Sequence, residues 1–186
     1  MITIVHRVNT INQLNKVNKN KGVEVDVRCF KDNLILHHDP FKSGERFEDY
    51  LEVYDHKLLI LNIKESGIEN EIIEHTKKKL GDKKFFLLDT EIPYIVLQSG
   101  KYKEYISVRY SEYETFDSLV SFKNLADWVW IDTFSNLPKI DDEIIAYLKT
   151  KKTCLVSPER WGRKDELEHY LNIFNDHGYK PDYVMK

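Results

Sequence analysis

The sequence is short of several things, and each shortage removes a class of answer. Cysteine is scarce: of 186 residues only Cys29 and Cys154 are cysteines, far apart and each inside strand-like sequence. That is not the dense, closely spaced set of a small disulfide-stapled secreted domain, so both are expected to be buried thiols in a reducing compartment. Long apolar runs are missing, since none approaches the roughly 20 residues needed to span a bilayer. The opening MITIVHRVN begins directly as a strand, without a basic region, an apolar run and a small-residue cleavage site. No signal peptide is expected, and a cytoplasmic location follows as the expectation. Charge of one sign is not in excess: the formal net charge of -3 gives no general attraction to nucleic acid, which is not expected as a partner. The five prolines and seven glycines never gather into a linker, and no internal repeat is visible. Residues 1–186 are therefore expected to form a single domain, of a length that fills one core better than two.

What the chain does have is a recurrence of short apolar, β-branched and aromatic runs. They read ITIVHRV, VEVDVRC, LILHHD, KLLILNIKE, KKFFLLDTE, EYISVRYSE, WVWIDTF, KTCLVSPE and DYVMK. Segments with helical spacing lie between most of them: INQLNKVNKN, IENEIIEHTKKKL, TFDSLVSFKNL, DDEIIAYLKT and KDELEHYLNIFNDHG. Strand and helix in alternation predict an α/β fold with a parallel sheet, because parallel neighbours need a crossover. The exception is the pair VEVDVRC and LILHHD, separated only by residues around Asp32-Asn33, which suit a tight hairpin turn. Counting that hairpin as one position leaves eight parallel positions, the number of a small (β/α)₈ TIM barrel with a β-hairpin at strand 2. An open doubly wound sheet is the structural alternative. The charge run KKKLGDKK falls where a helix should end, and its lysines complement the helix dipole.

Strand alternation puts Glu24, Asp26 and Arg28 on one face and Val23, Val25 and Val27 on the other. In a barrel neither face meets solvent, so charges near the carboxyl end of such a strand are buried or functional. Two carboxylates at i and i+2 can converge on a hard divalent cation, Mg²⁺ or Ca²⁺. His6 and Arg7 end the first strand, and His38, followed by Asp39, ends the return strand of the hairpin. Strand ends of one barrel face converge on one mouth, where two imidazoles can act as general base and general acid near neutral pH. Arg7 and Lys64 add positive charge for a phosphate.

His6-Arg7, the run from Gly22 through Glu24, Asp26 and Arg28 to Asn33, and then His38-Asp39-Pro40 together resemble the glycerophosphodiester phosphodiesterase family of the phospholipase C-like phosphodiesterase superfamily. Asn62-Ile63-Lys64-Glu65 is similar to the next family strand, and DYVMK to the last. The specific match lies within the first 65 residues; beyond it only the order of strands and helices agrees. The resemblance implies a barrel that hydrolyses a glycerophosphodiester or related polyol-phosphate diester with a divalent metal. It makes Glu24 and Asp26 metal ligands, His6 and His38 the catalytic pair, and Arg7 and Lys64 phosphate contacts. In the family scheme a hydroxyl vicinal to the phosphate attacks first, and water later opens the cyclic phosphate.

Three positions depart from the family pattern. Asn62 stands where a third glutamate ligand is usual; its amide oxygen can bind a hard cation but brings no charge. Glu65 points the other way along the strand, and Asp89 and Asp132 are the better-placed acids, Asp132 being taken as a further ligand. The insertion that usually follows His-Asp is replaced by the short PFKSGERFEDYLEVYDH, which predicts an open mouth suited to a larger or polymer-linked diester. Val8 follows His6-Arg7 where glycine is common. At later strand ends Arg109 is a candidate substrate contact, and Glu112, Glu114, Thr133 and Glu159-Arg160-Trp161 are candidate specificity residues. Two other readings stay open: a degenerate barrel that binds a phosphorylated ligand without turnover, and a lyase or transferase that stops at the cyclic phosphate.

Overall fold

The computed structural model describes residues 1–81 and 84–186. Asp82 and Lys83, within the run KKKLGDKK and at the edge of the strand-like KKFFLLDTE, lie outside the described residues. The described residues form ten strands and seven α-helices in the alternating order expected of an α/β fold, with mostly parallel pairing. They group into two compact units, one of Ile4–Ile92 and one of Met1–Thr3 with Pro93–Lys186.

The first unit is organised around one long strand. Strand β1 (Ile2–Val5) enters it through Ile4 and Val5, followed by helix α1 (Ile11–Leu14) and strand β2 (Gly22–Phe30). The beginning of β2 pairs in parallel with β1, Ile4 facing Gly22 and Val5 facing Val23. On its other side β2 pairs in parallel with β5 (Leu59–Ile63), which pairs with β6 (Phe85–Leu88). The far end of β2 turns back into β3 (Asn33–Leu36), antiparallel, and β3 pairs with the short β4 (Glu45–Arg46). Helices α2 (Phe47–Val53) and α3 (Glu69–Leu80) complete the unit.

The hairpin at strand 2 forms as expected, one residue earlier than Asp32-Asn33 would put it. Phe30 pairs with Asn33, so Lys31 and Asp32 make the turn and Lys31 takes the positive φ of 54°. The physical reason is register: this pairing sets Val27 opposite Leu36, both buried. A turn at Asp32–Asn33 would instead set Leu36 opposite the exposed Cys29. Cys29, on this projecting end, is exposed rather than buried, while Cys154 is buried as expected.

Gly22 shows how closely the strands approach. A Cβ there would meet Ile4 Cδ1 at 2.5 Å and Leu58 O at 2.7 Å. Gly22→Ala is therefore expected to destabilise the chain by about 1–3 kcal/mol, the usual cost of overpacking. A urea midpoint lowered with an unchanged slope checks it.

Local chemistry explains the helix limits. Helix α3 begins with Glu69 and Glu71 and ends with Lys77, Lys78 and Lys79, all favourable to the helix dipole. Helix α1 opens on a capping box, with the Thr10 hydroxyl accepting from Gln13 N and the Gln13 carboxamide accepting from Thr10 N. It stops at Leu14, short of the expected span to Asn20. Asn18 Oδ1 accepts from Asn20 N at 2.9 Å, a side-chain turn that competes with helical hydrogen bonds.

Helix α4 (Ile92–Tyr102) leads into β7 (Ser107–Tyr110), α5 (Phe116–Ser121), β8 (Trp128–Ile131), α6 (Asp142–Leu148), β9 (Lys152–Val156), α7 (Leu167–Asp176) and β10 (Tyr183–Met185). The strands lie in the order β7-β8-β9-β10, all parallel, and Ile2 N donates to Asp182 O beside β10. Trp128, Leu148 and Phe174 are fully buried among them, and the Trp128 indole N–H donates to Glu104 O at 3.0 Å. Asp141 caps α6 by accepting from Ile144 N. No helix of the described residues is long and apolar enough to cross a membrane.

Candidate active site

Both faces of β2 are covered, so Glu24 and Asp26 are as inaccessible as the valines between them. Asp26 lies directly opposite Asn62 in the β2–β5 register, which sets Asn62 beside the acids and Lys64 one step beyond, past the end of β5. His6 and Arg7 follow β1, and Arg7 adopts the left-handed conformation at φ 53°. With that backbone, Arg7 N donates to Glu24 Oε2 at 2.8 Å.

The hydrogen bonds divide the two carboxylates. Glu24 accepts from Asn62 Nδ2 at 2.9 Å, and His6 Nε2 lies 3.8 Å from its other oxygen. Asp26 Oδ2 accepts from Asn9 Nδ2 at 2.8 Å and lies 3.9 Å from Arg7 Nε. Lys64 Nζ is 3.2 Å from Asp26 Oδ1, but outside hydrogen-bonding angle, so this oxygen has an ionic neighbour and no donor. Burial raises the Glu24 carboxyl above its ordinary value, and the adjacent Asp26 charge adds to that; the Arg7 N–H and the Asn62 amide oppose it.

The site residues His6, Arg7, Glu24, Asp26, Asn62 and Lys64 are thus brought together in the first unit. His38 lies two residues past the end of β3, with its Nδ1 2.8 Å from Asp39 Oδ1. Arg28 ties it to the rest: its Nε donates to His38 O at 3.0 Å and its Nη1 to Lys64 O at 3.2 Å. Arg7 and His38 line one cleft of about 600 Å³. Two supporting residues escape a reading of the sequence. Arg28 was visible only as the third charge on the Glu24 face, and Asn9, which also accepts from Asp26 N at 2.8 Å, carried no signal at all. Val8 is buried, its N donating to Glu24 O, so it packs beneath the site.

Arg109 and Asp132 belong to the second unit, where they bond each other. Arg109 Nη1 donates to Asp132 Oδ2, and Arg109 Nε lies 3.5 Å from Glu114. Asp132 further accepts from Thr133 N at 2.8 Å and from the Trp130 indole at 3.2 Å. The Arg109 guanidinium also lies over the Phe134 ring, which packs 5.1 Å from Trp161. Glu65 faces away from the acids, accepting from Cys29 N, and Asp89 follows β6 with φ 59°.

Residues for a divalent cation can be judged from the oxygens left over. Asn62 Oδ1 is a buried acceptor without a hydrogen-bond donor, and Asp26 Oδ1, on the neighbouring strand, has only the ionic contact with Lys64. Buried oxygens without donors are what a hard cation satisfies. Among the described residues no three of His, Cys, Asp and Glu are grouped to hold a metal; Glu24, Asp26 and Asn62 together offer two carboxylates and an amide, one charge below three carboxylates.

No family model and no curated protein matches the chain. Among solved structures, the glycerophosphodiester phosphodiesterase of Agrobacterium tumefaciens str. C58 superposes with a TM-score of 0.65 at 15% identity, over 100% of this chain and 96% of that one. The chain has the fold of that phosphodiesterase. A glycerophosphoryl diester phosphodiesterase of Parabacteroides distasonis ATCC 8503 superposes with a TM-score of 0.60 at 12% identity, over 99% of this chain and 81% of that one. The phosphodiesterase fold agrees with the (β/α)₈ expectation, since the eight strands other than β3 and β4 carry the parallel order.

Proposed function

We propose that the chain is a single-domain, metal-dependent phosphodiesterase acting on a glycerophosphodiester or a related polyol-phosphate diester. The observation that carries this is the fully buried Glu24–Asp26 pair with His6 beside Glu24 and the Lys64 ammonium beside Asp26. Burying two acids is costly unless partners or a ligand compensate. Arg7 and Lys64 contact the phosphate, His6 is the base and His38 the acid. His6 takes the proton of the hydroxyl vicinal to the phosphate, and that oxygen attacks phosphorus. The departing alcohol oxygen receives a proton from His38, whose Nδ1 is held by Asp39. In the second step the roles reverse: His38 takes a proton from water, the water oxygen opens the cyclic phosphate, and His6 returns a proton to the first oxygen. Glu24, Asp26 and Asn62 would hold Mg²⁺ or Ca²⁺, which polarises a phosphoryl oxygen when bound.

Product analysis over time tests the proposal. A transient cyclic phosphate that decays to a monoester is expected; a cyclic phosphate that accumulates without decay identifies the lyase instead.

Cation binding has its own signature. Because the folded Glu24 carboxyl titrates above its unfolded value, the ionised group costs stability, fully so above the raised pKa, and this cost disappears as pH falls below the unfolded value. A cation needs the ionised form, so the rise in Tm that Ca²⁺ or Mg²⁺ produces is expected to grow as pH increases through the raised pKa. Asn62→Glu should enlarge that rise. Thermal melts with and without cation check both, and an unchanged cation response in Asn62→Glu would place residue 62 outside the cation's ligands.

A further inference from the structure

The cleft that holds Arg7 and His38 continues past them along α1 and the Ser43–Glu45 segment. Apart from Leu36 and Gly44, the residues that line it carry polar or charged side chains. Leu36 is its one apolar side chain, and no Phe, Tyr or Trp lines it among the described residues. We infer that this extension seats the departing alcohol and selects a polyhydroxylated one, a sugar or cyclitol, over a choline or an acyl-bearing alcohol. The inference rests on the proposed diesterase reading, because His38, as the acid, marks the side on which the alcohol leaves.

The inventory of hydrogen-bonding groups carries the choice of ligand. The Gln13 carboxamide oxygen is taken by Thr10 N at 3.1 Å and the Thr10 hydroxyl at 3.2 Å, which leaves its N–H groups as donors. Asp39 N donates to His37 Nδ1 at 2.9 Å; that ring nitrogen also lies 3.1 Å from Asp39 O, but a backbone N–H can only donate, so it decides the tautomer. The proton of the neutral His37 ring is then on Nε2, a second donor. Glu45 Oε2 accepts from Ile11 N at 2.6 Å, leaving Oε1 as an acceptor among the described residues. The exposed Ser43 hydroxyl can do either. Donors and acceptors in alternation match hydroxyls, each of which both gives and takes a hydrogen bond. A quaternary ammonium has no hydrogen to donate and favours aromatic faces, and an acyl chain needs apolar walls. Neither is present.

Gly44 sets the shape of this wall. A Cβ there would meet Leu36 O at 2.2 Å, so the segment that carries Ser43 and Glu45 can lie against the end of β3 only as glycine.

The test has a binding arm and a turnover arm. Affinities of inositol 1-phosphate and phosphocholine are measured by calorimetry on the full chain, the Gln13→Glu variant and the Ser43→Ala variant. Gln13→Glu keeps the capping oxygen for Thr10 and removes the N–H donors. The native chain is expected to bind inositol 1-phosphate at least about tenfold tighter, because a site built on hydroxyl hydrogen bonds rejects a ligand that cannot complete them. Both variants should shrink that ratio. Equal affinity, binding of neither, or a ratio unmoved by both variants overturns the inference. In the turnover arm, kcat/KM for glycerophosphoinositol should exceed that for glycerophosphocholine. Hydrolysis of both at equal kcat/KM overturns the inference and leaves the diesterase reading standing; selective binding with no hydrolysis of either overturns the diesterase reading and leaves a polyol-selective cleft.

Discussion

Replacing His38 with alanine is expected to lower diester turnover by about 10²–10⁴-fold, the range for loss of a positioned general acid, while the melting temperature changes little. The two halves of that expectation come from different parts of the structure. His38 is 41% exposed at its side chain, and its ring is held by the exposed Asp39, so deletion leaves no buried partner stranded. The hairpin end is held instead by backbone groups: Arg28 Nε bonds His38 O, and His37 N bonds Asp26 O at 3.0 Å. These survive the substitution. Partial rescue by a substrate with a more acidic alcohol, such as a nitrophenyl diester, would be specific to a lost acid, because a good leaving group needs no proton. A variant that melts early and shows no such rescue would instead make His38 a structural residue.

Asp26→Ala is expected to have the largest effect on stability. Its carboxylate is fully buried beside Lys64, whose side chain is 17% exposed, and it also serves Asn9 and Arg7. Removing one member of a buried ion pair leaves the other charge uncompensated, at a cost of about 3–5 kcal/mol. For a chain of this length that lowers Tm by roughly 6–20 °C. The double variant Asp26→Ala with Lys64→Met removes the stranded ammonium and should recover part of the loss, though not the activity. Equal melting temperatures for the single and double variants would show that Lys64 does not depend on Asp26 for its charge.

Much of the site was legible because a strand is a ruler of period two. Glu24, Asp26 and Arg28 had to share a face, and in a barrel β2 is covered on both sides, so buried acids followed from the spacing together with the inferred barrel. The hairpin was legible for the same reason, although its turn shifted to Lys31–Asp32 because pairing apolar Val27 with Leu36 outweighs the turn preference of Asn33. Helix α2 was read as a short connecting segment, yet Phe47, Tyr50 and Leu51 are its buried side, a helical pattern too brief to stand out. Helix α4 was hidden differently: Ile92, Val96 and Leu97 are exposed while Ile95 is buried, so apolar residues on both sides erase the period. The role of Asn9 depends on a contact with β2 that no local spacing encodes. The Arg109–Asp132 pair likewise depends on the β7–β8 register, where Arg109 faces Trp130.

One assay decides whether Glu24, Asp26, His6 and His38 cleave a phosphodiester. Glycerophosphoinositol and glycerophosphocholine are incubated with the full chain in Mg²⁺, Ca²⁺ or chelator, in parallel with His38→Ala, and the released alcohol is measured. Cation-dependent release that chelator abolishes and His38→Ala loses is the predicted result. Release that continues undiminished in His38→Ala, or no release from either diester with either cation, would contradict it.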